Sequence, residues 1–132
     1  MSDTPQTQEH KTVEQALVIG LGQYGMALAR ALVAHGVKVV AVDRRPDRVH
    51  LASEFVTEAV RADAQDEEQL AKLAPARRDL CVVGIGDDAT EASILVTALL
   101  RQMGAPRVVA RATNELHQRI LNLVGAHEVV NP

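Results

Sequence analysis

A short apolar run, Ala16-Leu17-Val18-Ile19, ends in Gly20-Leu21-Gly22-Gln23-Tyr24-Gly25, and an Ala- and Leu-rich helical pattern, Met26 to Leu32, begins at once. Few local patterns constrain a fold so tightly. A Gly-x-Gly-x-x-Gly turn between a strand and a helix opens a β-α-β unit and aims the helix's first N–H groups and positive dipole end at an anion. Gly20 permits the tight exit from the strand, Gly22 presents no side chain to a phosphate, and Gly25 lets the helix press on the sheet. Leu21, Gln23 and Tyr24 complete the loop. Gln23 is a neutral donor nearest the phosphates, while Tyr24 is expected to pack between helix and sheet. A second apolar run, Val37 to Val42, ends in Asp43, close to the spacing of about 20 residues at which an acid grips a ribose diol. A turn that merely tightens a helix, with Asp43 as a solvated acid, accounts for less of this order.

The chain continues in the same alternation. Pro46 suits the first turn of a helix reaching Glu54, and Thr57 to Val60 reads as a third strand. Asp66 and Gln69 have the spacing of a capping box for a helix ending near Ala74-Pro75. Leu80 to Val83 is a fourth strand, followed by a helix from Ala89 to Met103 that Gly104 closes. Val108 to Ala110 is a fifth strand. Asn114 caps a helix from Glu115 to about Val124, and Glu128 to Val130 is a sixth strand. Strands alternating with helices imply right-handed crossovers and an α/β fold. The expected form is a Rossmann-like, doubly wound parallel sheet in the order 3-2-1-4-5-6, a single domain over residues 14–132. Residues 1–13 lack periodicity and are expected to be a disordered leader.

In that topology the carboxyl ends of the strands meet in one crevice. Asp43 is the expected ribose acceptor, which favours NAD or an adenosine nucleotide over NADP. Arg44 and Arg45 either hold a 2′-phosphate or stand in solvent. Asp63, beside Ala64, accepts from an adenine amino group or leads the next helix as an acid. Gly84, Ile85 and Gly86 form a low far wall, and Arg111 at the end of strand five is a phosphate partner. Asp87 and Asp88 are expected to cap the long helix, and two carboxylates make a poor metal site without further ligands.

Composition excludes other classes. A net charge of -3 leaves no excess of Lys and Arg for nucleic acid, and the only aromatic residues, Tyr24 and Phe55, offer few stacking platforms. No apolar run approaches the ~20 residues that span a bilayer. The polar N-terminus has no signal-peptide core, so a cytoplasmic location is expected. The lone Cys81 lies in an apolar strand and reads as a small buried hydrophobe. His10, His35, His50, His117 and His127 show no metal spacing, and none stands near a serine or cysteine in a triad-like arrangement. No catalytic residue is assigned. A small NAD-dependent oxidoreductase, or a fragment of one, is an alternative on fold alone.

These residues together resemble a known family, the N-terminal nucleotide-binding RCK (KTN, TrkA-N) domain of potassium transport regulators. The likeness runs through Val18 to Gly25, Val39 to Asp43, Ala62-Asp63-Ala64, Val82 to Asp88 and Val109 to Ala112. Its most specific piece is the ending Gly125-Ala126-His127-Glu128-Val129-Val130-Asn131-Pro132. The resemblance implies binding of NAD(H), AMP, ADP or ATP, with the glycine loop and Arg111 at the phosphates, Asp43 on the ribose and Asp63-Ala64 by the adenine. It also implies a homodimer, in some members an octameric ring, on a membrane potassium channel or transporter, or on a cation/proton antiporter. Members that resemble ATP-gated rings often carry Arg where this chain has Gln23. The family usually continues beyond the position of Pro132 into a crossover helix and a smaller ligand-binding domain, so a truncated chain is expected.

Overall fold

The computed structural model describes residues 12–85 and 89–131. Among them, β1 (Gln15–Ile19), β2 (Lys38–Asp43), β3 (Glu58–Arg61), β4 (Leu80–Val83), β5 (Val108–Arg111) and β6 (Glu128–Val130) form one parallel sheet. Its order is β3-β2-β1-β4-β5-β6, as the alternation predicts. The connecting helices are α1 (Gln23–Ala34), α2 (Pro46–Ala52), α3 (Glu67–Ala71), α4 (Thr90–Gln102) and α5 (Glu115–Leu123).

Two core clusters lie on opposite faces of the sheet. Leu17, Ile19, Val40, Val42, Cys81 and Val83 point to one face, where Leu70 of α3, Val96 and Leu100 of α4 and Leu121 of α5 meet them. Ala16, Val18, Val39, Ala41 and Val82 point to the other, against Ala29 of α1 and Ala52 of α2. The central strand β4 is buried at all four positions, which is why it reads as an unbroken apolar run. Each fully buried Leu or Val contributes roughly 1.5–3 kcal/mol through removal from water. Phe55 and Tyr24 are only partly buried at the edge of the second cluster. Val13, placed by its sequence in a leader, packs against that cluster too; residues 1–11 lie outside the described residues.

Several boundaries differ from expectation, with the largest shifts at the ends of α2 and α3. Helix α2 stops at Ala52, because the N–H groups of Phe55 and Val56 both turn back to the Ala52 carbonyl, and β3 starts one residue later than predicted. Helix α3 ends at Ala71; Ala74 takes φ +54°, and Pro75–Arg77 forms one 3-10 turn before β4. The Arg78 guanidinium donates to the Leu73 carbonyl from Nε (3.0 Å) and Nη2 (2.8 Å), closing that end. The capping box is only half formed. Asp66 Oδ1 accepts from the N–H groups of Glu68 and Gln69, but the Gln69 side chain accepts from the N–H of Asp63, not of Asp66. That bond ties α3 to the loop holding Asp63. Asn114 caps α5 as expected, accepting from the His117 N–H at 2.9 Å.

Candidate functional site

The turn after β1 is built from close approaches that only glycine allows. Gly20 has φ +94°, and a Cβ there would stand 2.9 Å from the Gly84 carbonyl carbon, so the turn abuts the loop after β4. Gly25 is tighter still: a Cβ would lie 1.8 Å from the Gly20 carbonyl oxygen. The third glycine therefore seats α1 on the turn's own backbone, whereas its nearest sheet side chain, Val18, would be 3.8 Å away. Gly22 is the Ncap of α1, and a Cβ built on it would meet only the Arg48 guanidinium, at 3.9 Å. The first turn of α1 carries no acidic side chain, and its leading N–H groups have no acceptor within the helix. This open cradle of backbone donors fits a phosphate group.

Asp43 ties two turns together. Its Oδ2 accepts from the Leu21 N–H at 2.6 Å and its Oδ1 from the Arg45 N–H at 2.8 Å, with Arg48 Nη1 3.9 Å from Oδ2. Two backbone donors leave lone pairs on both oxygens, enough for the hydroxyls of a ribose.

Around these groups lies a cleft of about 1090 Å³. Gly20, Gly22, Gln23, Tyr24, Asp43 and Arg44 line it from the β1 and β2 side, and Asp63, Ala64, Gly84, Ile85 and Arg111 line the rest. Leu21 and Gly25 stand behind it: the Leu21 side chain is core, and its contribution is the N–H given to Asp43. Gly86, with Asp87 and Asp88, lies outside the described residues; the Ncap position of α4 falls on Ala89. Asp63 serves its own loop, its Oδ1 accepting from the Gln65 N–H at 3.0 Å, and also faces the cleft.

Charge distinguishes this cleft from the rest of the surface. Among the described residues, five arginines, Arg44, Arg45, Arg48, Arg61 and Arg111, face it against two carboxylates, Asp43 and Asp63, although the whole chain carries -3. The cleft is therefore suited to an anion. Arg45 is paired with Asp47 at 3.0 Å, as expected of a helix-flanking charge. Arg111 lies 5.5 Å from the centroid of the Tyr24 ring, a cation–π contact that steadies the guanidinium beside the glycine turn. Tyr24 also packs on the second core cluster, as its sequence position suggests. Arg48 and Arg61 are the two cleft arginines not expected from the sequence. Pro46 at the start of α2 was the available signal, since it sets the first turn of that helix, Arg48 included, beside the end of β2.

A second polar group overturns one expectation. His117 Nε2 lies 2.7 Å from Ser93 Oγ, although no histidine was expected beside a serine in a triad-like arrangement. His117 Nδ1 accepts from the Thr113 N–H at 3.1 Å, so Nε2 carries the proton and donates to Ser93, whose hydroxyl donates to the Thr90 carbonyl at 2.9 Å. Ser93 and His117 are 1% and 2% exposed, which closes them to substrate. Burial pushes the His117 pKa down and keeps the ring neutral. The pair fastens α4 to α5. Cys81 is fully buried, and desolvation raises its pKa to about 12, so it remains a thiol. No three His, Cys, Asp or Glu side chains cluster as a metal site among the described residues.

The model of the TrkA-N domain family matches residues 16–132. The Ktr system potassium uptake protein C of Bacillus subtilis (strain 168) is 36% identical over 115 residues, 87% of this chain and 52% of that protein. The chain thus spans about half the length of the curated relatives it matches. Among solved structures, the NAD(P)-binding domain of an exopolyphosphatase-related protein from Archaeoglobus fulgidus superposes with a TM-score of 0.79 at 28% identity, covering 90% of this chain and 87% of that one. The GsuK channel bound to NAD shares the fold, with a TM-score of 0.77 at 21% identity over 90% of this chain and 21% of the channel. Glycine turn, strand order and family match agree, and the chain belongs to the TrkA-N domain family.

Proposed function

We propose that this chain is a regulatory domain that binds NAD(H) or an adenine nucleotide (AMP, ADP or ATP) and controls a potassium channel or transporter. The observation that carries the binding is the cleft itself, where a glycine cradle and five arginines surround one ribose-ready carboxylate. The relatives named for potassium uptake supply the physiological direction. In this reading the phosphates lie over Gly20 to Gly25 with Arg111 beside them, the ribose meets Asp43, and the adenine lies by Asp63 and Ala64. The domain works on the cytoplasmic side of the membrane as a homodimer, or within an octameric ring, docked to its transporter.

Regulation follows if one nucleotide binds one arrangement of paired domains better than another, and a differential of ~1–3 kcal/mol is enough. A catalytic role has less support. Asp43 and Asp63, the carboxylates among the described cleft residues, accept from backbone N–H groups, which suits them to holding turns, and the Ser93–His117 pair is sealed.

The test is a thermal-shift panel of NAD, NADH, AMP, ADP and ATP on the wild-type chain and on Asp43→Ala. A ligand at ~100 times its dissociation constant adds about 2.7 kcal/mol of stability to the wild type. Asp43→Ala is expected to shrink every shift. Unchanged shifts would remove Asp43 from the ribose site, and no shift with any of the five would end the proposal.

A further inference from the structure

We infer that Arg48 reads the phosphate of the bound nucleotide, reaching it from α2 across the glycine turn; the inference rests on the nucleotide-binding function proposed above. Its geometry is specific. Arg48 Nη1 stands 3.9 Å from Asp43 Oδ2 and 3.9 Å from where a Cβ of Gly22 would be. The guanidinium thus sits between the ribose-side carboxylate and the Ncap of α1, where the free helix N–H groups converge.

Arg111 reaches the phosphates from the end of β5, and on the α2 side the neighbours leave this task to Arg48. Arg45, three residues earlier, is engaged with Asp47 through both Nε and Nη2. Gln23, on the first turn of α1, has no charge to offer. Asp43 is already held by two backbone N–H groups at 2.6 and 2.8 Å, so its conformation does not depend on Arg48. A separation of 3.9 Å is an ion pair without a hydrogen bond, which keeps the planar fork of donors available to a phosphate. The side chain is 38% exposed, which leaves it room to turn toward a ligand. Such a contact is absent for an unphosphorylated nucleoside, so Arg48 separates phosphorylated ligands from adenosine.

Isothermal titration of the wild-type chain, Arg48→Gln and Arg48→Lys with adenosine, AMP, ADP and NAD tests this. Arg48→Gln is expected to weaken the three phosphorylated ligands about tenfold to a hundredfold and to leave adenosine unchanged, since the lost contact is a charge-assisted hydrogen bond. Arg48→Lys keeps the charge without the fork and is expected to recover part of the loss. If Arg48→Gln loses adenosine as strongly as ADP, Arg48 merely shapes the ribose site and the inference fails. It also fails if neither variant changes any affinity. Should Arg48→Gln not fold, Arg48→Lys carries the same contrast: a loss confined to phosphorylated ligands supports the inference, and any other pattern overturns it. A wild-type chain that binds none of the four would overturn the nucleotide-binding function and this inference together.

Discussion

Two polar constellations lie near the carboxyl edge of this sheet, and they differ in access. The group around Asp43 opens into a cleft of about 1090 Å³ whose described lining carries more positive than negative charge. The group around His117 has a serine oxygen 2.7 Å from an imidazole nitrogen, the distance expected of a nucleophile and its base, yet both side chains are at most 2% exposed. Spacing alone would nominate the second group for chemistry. Access, tautomer and the fate of the serine proton assign it to structure, and the open, cationic group is the one that can meet a ligand.

The contrast can be broken most severely at Gly25. Gly25→Ala forces a carbon toward the Gly20 carbonyl and is expected to cost ~3 kcal/mol or more while abolishing nucleotide binding. Urea unfolding and titration calorimetry on the same sample would check both; an alanine variant with unaltered affinity would mean the turn is looser than its contacts indicate. The sealed pair should give the opposite signature. His117→Ala leaves the Thr113 N–H without its acceptor and Ser93 without its donor, for a loss of about 1–3 kcal/mol in urea unfolding and no change in nucleotide affinity. Lost affinity would join the two groups functionally.

The smallest effect expected is on pH dependence. His117 in the folded chain holds its proton less tightly than at its ordinary pKa of 6.5, because burial disfavours the charged ring. His127 shifts the same way, through desolvation and the nearby Arg101 and Arg107. As pH falls through 6.5, the unfolded chain therefore takes up protons before the folded chain does, and stability declines until the folded state's own lower values are passed. Melting temperatures between about pH 7.5 and pH 5 should show this slope, and His117→Ala should flatten part of it. An equal slope in the variant would place the coupling elsewhere.

How far the sequence could be read depended on whether local pattern determined the answer. The strand order followed from apolar runs alternating with helical periodicity, and the described cleft residues that it nominated all come from the glycine turn, the last residue of a strand or the loop that follows one. That agreement is geometric, because parallel strands deliver their last residues to one edge. The Ser93–His117 contact was illegible for a different reason: it joins two helices through the packing of α4 on α5, and no spacing within either records it. Arg48 was missed because a long side chain on an exposed helix turn looks like solvated charge until its Nη1 can be measured against Gly22. Gln69 followed the capping-box pattern but chose Asp63 over Asp66, since the Asp66 N–H already donates to the Asp63 carbonyl.

The contact between the Gly20 carbonyl and Gly25 also bears on how such a chain can evolve. Every replacement of Gly25 adds at least one carbon where 1.8 Å is available, so gradual drift at that residue is blocked. Diversification within this architecture is expected instead at rim arginines such as Arg44, Arg45 and Arg48, whose side chains line the cleft.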